Sequence, residues 1–131
     1  MIENISPPDW NTRAPVTQVK KIDLGNCHMI FVSGIQPPAG PNKVVVTDDV
    51  AEQTTLVFEE IKRSLDLAGA SMDDVVKAVI YLTDVNDFDV VSPIRSEYFK
   101  NSKPVSTLVG ATGFSRKGAK IEVEVTAILP K

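Results

Sequence analysis

The sequence predicts an α+β domain in which a mostly antiparallel sheet carries two helices on one face. Three observations lead to this fold class. Apolar residues recur at helical spacing from Val50 to Ala68, short β-branched runs are separated by turn residues, and apolar and polar residues alternate from Lys120 to Ala127. With 131 residues the chain fits one domain, 1–131, whose first 15 residues we expect to form an irregular N-terminal arm.

The first half of the chain predicts a hairpin followed by a loop. Val16–Leu24 and Cys27–Gly34 are rich in β-formers, and Gly25-Asn26 between them is a two-residue turn signal. Prolines at 37, 38 and 41 end the second strand, because proline removes backbone donors from a sheet. We expect Val44–Val46 to form a brief edge strand after this loop.

The central part predicts helix, strand and helix in that order. Asp48 or Asp49 is placed to cap the helix from Val50 to Ala68, and Gly69 suits its C-terminal cap. The apolar, β-branched run at 75–83 predicts a strand. Asn86-Asp87 would cap a second helix, 88–99, in which Pro93 is expected to cause a kink.

Two strands close the chain, at 107–111 and 119–129. In the last, Ile121, Val123 and Val125 alternate with Glu122 and Glu124, which predicts one buried and one polar face. Two helices can cover only one face of the sheet, so we expect the other face to meet a partner copy.

Composition excludes several classes of function. The formal net charge is −3, and no stretch forms a basic stripe, which argues against nucleic-acid binding. One cysteine and one histidine do not suffice for a conventional zinc site, so we predict no metal and no cofactor. No signal peptide or transmembrane run is visible, and we therefore expect a cytoplasmic protein with no membrane partner.

Several segments together resemble the RidA (YjgF/UK114) family. The resemblance lies in the Ser-Gly at the end of Asp23–Gly34, in the Gln-Thr pair and Leu-x-x-Ala-Gly ending of Asp49–Ser71, and in the Asn-Asp-Phe of Asp73–Phe88. "KPVSTLVGA" and "KIEVEVTAI" occupy the places of two further family segments. The match runs from about Val16 to Leu129, and it depends on the order and spacing of these segments.

This resemblance implies a chorismate-mutase-like fold assembled as a homotrimer with clefts between subunits. In the family, such clefts bind small carboxylates and hydrolyse enamines or imines to ketones and ammonia. An arginine holds the substrate carboxylate and a glutamate orients the attacking water, while a Ser-Gly backbone and a tyrosine line the pocket.

Carried over to this chain, the family pattern is matched only in part. Glu122 matches the water-orienting glutamate, and Ser33-Gly34 matches the Ser-Gly. Leu108 falls where a backbone N–H commonly meets the ligand. Two positions depart: Ser106 replaces the arginine and Gln18 replaces the tyrosine. One extra residue also lies between Pro104 and Glu122.

Arg13 and Arg116 are candidates to replace the missing anchor, although ordinary surface charges would look the same in the sequence. Glu122 likewise has a plain reading as a solvent-facing carboxylate, and Ser106 as a polar residue at the start of a strand.

We therefore predict an enamine or imine deaminase of altered specificity, acting on a small carboxylated metabolite. One version resembles the 2-aminomuconate deaminases. The alternative is a non-catalytic metabolite-binding or regulatory protein that uses the same cleft. A ribonuclease role, suggested by older family names, fits the acidic balance poorly.

Overall fold

The computed structural model describes residues 1–10, 12 and 14–131, and these form a six-stranded sheet with two helices packed on it. The elements in chain order are β1 (Ile2–Ile5), β2 (Val19–Asp23), β3 (Cys27–Ile35), α1 (Val50–Leu67), β4 (Val75–Leu82), α2 (Phe88–Tyr98), β5 (Val105–Gly110) and β6 (Ile121–Pro130). The strand order is β1-β2-β3-β6-β4-β5. Every pairing is antiparallel except β4 with β5, which confirms the predicted fold class.

The core lies between the helices and one face of the sheet. Ile121, Val123 and Val125 of β6 are buried there, while the intervening even-numbered residues are only half-buried. From α1, Phe58 and Ile61 reach the same core and are fully buried. The alternation in the sequence therefore predicts correctly which residues of β6 face the core.

The ends of α1 follow from local chemistry. The side chain of Asp49 accepts a hydrogen bond from the Ala51 amide at 3.0 Å, as an N-cap should. Gly69 adopts a positive φ of 81°, which ends the helix in the left-handed conformation that glycine favours. Of the two capping candidates, Asp49 is therefore the one used.

The N-terminal arm differs from the irregular segment that we predicted over residues 1–15. Residues Ile2–Ile5 form β1, which pairs with β2 from Ile22 back to Val19. Four residues are too short to give a periodic signal, and the strand forms because the edge of β2 supplies backbone partners. Strand β2 itself begins at Val19 and not at Val16.

Two further local predictions are corrected. Val44–Val46 forms no strand and makes only isolated bridges, from Val45 to Ala39 and from Val44 to Lys117. The side chain of Asp87 makes no capping hydrogen bond at α2. Instead Asp84 accepts from the Asn86 amide and caps a short 3₁₀ turn at Val85–Asp87 that leads into the helix.

The second face of the sheet carries no helix and exposes apolar side chains. Phe31 of β3 is 40% exposed, and Val105 and Val109 of the edge strand β5 are 68% and 39% exposed. This is the face that we expected to meet a partner copy, and it is called the open face below. No helix in the described ranges is both long and apolar enough to cross a bilayer.

Candidate active site

Glu122 projects from the open face of the sheet. It pairs in register with Tyr81 of β4, and its chain neighbours Ile121 and Val123 are fully buried on the helix side. Because successive side chains in a strand point to opposite faces, the Glu122 carboxylate emerges half-buried on the face without helices.

A β-bulge at Ser33-Gly34 brings Gly34 against this carboxylate. Val32 pairs with Val125 and Ile35 with Val123, so β3 holds one more residue than β6 over this interval. A Cβ added to Gly34 would stand 2.7 Å from Glu122 Oε2, inside contact distance. The structure thus brings together Glu122 and Gly34, two of the residues that the sequence predicts for the site, and Ser33 lies next to Gly34 in the bulge.

A second carboxylate lies on the same face, two residues along β6. Tyr81 Oη donates a hydrogen bond of 2.5 Å to Glu124 Oε1. This hydrogen bond, together with burial and the charges of Glu124 and Glu122, raises the pKa of Tyr81 above its ordinary value. At neutral pH the phenol therefore stays protonated and holds Glu124 in place beside Glu122.

Ser106 and Leu108 emerge on the other side of the sheet. They pair in parallel register with Ala78 and Ile80, which are fully buried under the helices. Within one chain, the Ser106 and Glu122 side chains therefore leave the sheet from opposite faces. A site that used both would have to be built from two copies of the chain.

Gln18 is buried. Its side chain is 5% exposed, and Nε2 donates to Ser64 Oγ at 2.8 Å and to Glu60 Oε2 at 3.0 Å, both on α1. The backbone carbonyl of Gln18 accepts from the Ser33 amide at 2.8 Å. Gln18 thus supports the Ser33-Gly34 bulge from behind, and its amide group is engaged with the helix.

Of the two alternative anchors, Arg116 is placed and Arg13 lies outside the described residues. Arg116 Nη1 donates to the carbonyls of Pro37 at 2.8 Å and Gln36 at 3.3 Å, and its backbone amide donates to Gln36 Oε1. These contacts fasten the loop before β6 to the segment that follows β3. The carbonyls that the guanidinium contacts belong to the residues that follow β3, shortly after the Ser33-Gly34 bulge.

Two hollows lie next to these residues. The first, of about 720 Å³, is a groove on the open face whose lining includes Phe31, Ser33 and Glu124. The second, of about 550 Å³, lies between the end of α2 and the start of β5. Its lining residues, which include three cations and no carboxylate, are Arg95, Ser96, Phe99, Lys100, Lys103, Pro104 and Ser106.

Sequence reasoning missed Tyr81 and the cationic groove. Tyr81 could have been found from the alternation of β4, where it follows fully buried Ile80. Arg95 carries no comparable signal, because its distance from Ser106 depends on how α2 crosses β5. Among the residues that the structure describes, no cluster of three or more His, Cys, Asp or Glu side chains could hold a metal ion.

Comparison with known proteins gives concordant matches. A family model described as endoribonuclease L-PSP matches residues 13–129. A RutC family protein of Pyrococcus abyssi is 42% identical over 106 residues, which are 81% of each chain. The 3-aminoacrylate deaminase RutC of Acinetobacter baylyi is 34% identical over 122 residues, covering 93% of this chain and 90% of that protein.

Among solved structures, a Mycobacterium tuberculosis member of the YjgF/YER057c/UK114 family superimposes with a TM-score of 0.83. It is 25% identical, and the superposition covers 98% of this chain and 100% of that one.

Proposed function

This chain belongs to the RidA family, whose matching model is named endoribonuclease L-PSP, and we propose that it hydrolyses enamines or imines of small carboxylated metabolites. The relative named 3-aminoacrylate deaminase supports this reaction class. The replacement of the family arginine by Ser106 supports a specificity that differs from that of the common members, and a 2-aminomuconate-like substrate is one version of it. We expect it to act in the cytoplasm.

The observation that carries the proposal is the contact between Glu122 and the Ser33-Gly34 bulge. Because residue 34 has no side chain, the Glu122 carboxylate can pack directly against the backbone there, and this contact sets its position on the open face. A carboxylate held in this way can accept a hydrogen bond from a water and direct the lone pair of that water.

The reaction balances with water as the only co-reactant. A proton from solvent adds to the enamine carbon to give an iminium ion, and water adds to the C=N carbon while one of its protons passes to the Glu122 carboxylate. Glu122 gives this proton to the carbinolamine nitrogen, the C–N bond breaks to release ammonia, and the hydroxyl proton returns to solvent as the C=O bond forms. The products are a ketone or aldehyde and ammonia, and Glu122 regains its starting charge.

A site formed between two copies of the chain would bring together two groups of residues that lie on opposite faces of the sheet within one copy. Glu122 with the bulge would come from the open face of one copy, and the β5 edge with Ser106 and Leu108 from another. The exposed Phe31, Val105 and Val109 supply apolar surface for such an assembly. We expect a homotrimer, with a mass near three times 14.2 kDa in light scattering.

The test is ammonia release from freshly generated 2-aminoacrylate, 3-aminoacrylate and 2-aminomuconate. We expect turnover by the wild type and a loss of about 100-fold or more in Glu122→Gln, since water orientation by a general base contributes on this order. Glu3→Gln, which changes an exposed carboxylate on β1, is the matched control. Equal rates for wild type and Glu122→Gln would refute the proposed role of Glu122.

The second candidate is a metabolite-binding protein without turnover, and the serine at position 106 favours it. A hydroxyl donates a hydrogen bond but supplies no charge for a substrate carboxylate. If the wild type releases no ammonia from any of the three substrates while Ser106→Arg does, the cleft is intact, and the wild type either only binds its ligand or acts on a substrate outside these three.

A further inference from the structure

The cationic groove between α2 and β5 has the chemistry of an anion site. Arg95, Lys100 and Lys103 line it, and Ser106 lies in the same groove at the position of the family arginine. A chain of net charge −3 has gathered three positive side chains there, and the lining includes no carboxylate. Positive charge gathered in a concave surface attracts anions.

Arg95 is the cation whose side chain is oriented by contacts within the protein. Its guanidinium lies 5.4 Å from the centre of the Phe88 ring, within the range of a cation–π contact. Its Nη2 donates to Ser92 Oγ at 3.0 Å. These two contacts orient the guanidinium plane and use one of its five N–H donors, so donors remain for a carboxylate.

The other two cations differ in availability. Lys100 Nζ is paired with Glu97 Oε1 at 2.7 Å, which neutralises much of its charge. Among the described residues, the ion pairs involve Arg63, Lys100 and Lys131, so neither Arg95 nor Lys103 takes part in one. The backbone of Lys103 has a positive φ of 47° in the turn directly before Pro104.

We propose that Arg95, assisted by Lys103, binds the substrate carboxylate in place of the arginine that is absent at position 106. The anchor thus moves from the edge strand to the neighbouring helix while the carboxylate stays in the same groove. A planar guanidinium suits a carboxylate because two parallel N–H groups can meet both oxygens. The catalytic meaning of this anchor rests on the proposed function, whereas the binding itself does not.

The experiment measures binding of pyruvate, the stable product expected from 2-aminoacrylate, by amide chemical-shift titration of the full chain. The variants are Arg95→Gln, Arg95→Lys, and the double variant Arg95→Gln with Ser106→Arg. Lys62→Gln on α1 removes an exposed charge elsewhere and serves as the control. Initial rates of ammonia release from 2-aminoacrylate are measured on the same samples.

We expect Arg95→Gln to weaken pyruvate binding by about tenfold or more, because it removes a charge-assisted bidentate contact. The pyruvate affinity of Arg95→Lys should lie between those of the wild type and Arg95→Gln, since lysine keeps the positive charge but cannot make the bidentate contact. Restoration of binding by Ser106→Arg in the double variant would support an anchor in this groove, because a purely structural role of Arg95 would not be rescued there.

Three results would overturn the anchor: no pyruvate binding by the wild type, wild-type affinity in Arg95→Gln, or an equal loss in Lys62→Gln. The two proposals fail separately. Turnover by the wild type with an unchanged KM in Arg95→Gln would remove the anchor and leave the deaminase. Pyruvate binding that depends on Arg95, without turnover of any substrate, would support the anchor and remove the deaminase.

Discussion

The carboxylate of Glu122 rests on the Cα of Gly34, so close that a methyl group there would stand 2.7 Å from Oε2 and 2.9 Å from Cδ. The contact joins β3 to β6 at the bulge between Val32 and Ile35. The position of Glu122 therefore depends on the absence of a side chain at residue 34.

Gly34→Ala should displace the Glu122 side chain. The clashing atoms are the free end of a flexible side chain, and the φ of Gly34 lies outside the left-handed region, so we expect a stability loss below about 1 kcal/mol. Deaminase activity should fall by about tenfold or more, because a small displacement of a catalytic group lowers the reaction rate strongly. Unfolding in urea and ammonia release measure the two effects.

Gly40→Ala is the matched control for that substitution, because nothing lies within 4 Å of a Cβ at Gly40. It should change neither stability nor rate by a comparable amount. Full activity in Gly34→Ala would show that the position of Glu122 is not set by this contact.

Gln53 should be a major determinant of stability, because it is fully buried and satisfies three backbone groups. Its Nε2 donates to the carbonyls of Thr47 and Gly118, and its Oε1 accepts from the Lys120 amide at 2.8 Å. Gln53→Leu leaves all three without this partner, and we expect a loss of roughly 2–4 kcal/mol in urea unfolding. A loss under about 0.5 kcal/mol would contradict this role.

Gln18→Ala should act mainly on stability. The substitution removes two hydrogen bonds to α1 from a side chain that is 5% exposed, and we expect a loss of roughly 1–3 kcal/mol. Gln36→Ala, which removes exposed hydrogen bonds of the same kind, should change stability by less. A large rise in KM for Gln18→Ala with unchanged stability would instead assign Gln18 to substrate binding.

Asp23 should make the stability of the protein depend on acid pH. Its carboxylate accepts from Lys131 Nζ and from the Gly25 amide, and these hydrogen bonds lower its pKa from 3.8 to about 2. A pKa that is lower in the folded state stabilises the fold above the unfolded value, and this contribution is lost as the pH falls from about 4 to about 2.

The melting temperature of the wild type should therefore exceed that of Asp23→Asn at pH 6, and the difference should shrink at pH 2. Lys131→Gln removes the hydrogen bond that contributes most to the lowered pKa of Asp23 and should show the same trend. A difference that stays constant from pH 6 to pH 2 would exclude this linkage.

The sequence pattern predicted most of the secondary structure correctly, because the ends of a helix and the faces of a strand depend on residues that are close together in the chain. The extent of α1 follows from apolar spacing with Asp49 and Gly69 at its ends, and the faces of β6 follow from the alternation between Ile121 and Ala127. The strand β1 and the bridges of Val44 and Val45 could not be predicted in this way, since they depend on which distant backbone edge is left unpaired.

The sequence alone determined the fold class, the family and the candidate residues Glu122, Ser33 and Gly34, because residue order and periodicity carry that information. Only the tertiary structure decided which candidates meet. The register of β3 with β6 places Gly34 under Glu122, whereas the parallel register of β5 with β4 turns Ser106 to the helix side beside Arg95. Register arises from packing between residues far apart in the chain, and a shift of one residue would reverse every face.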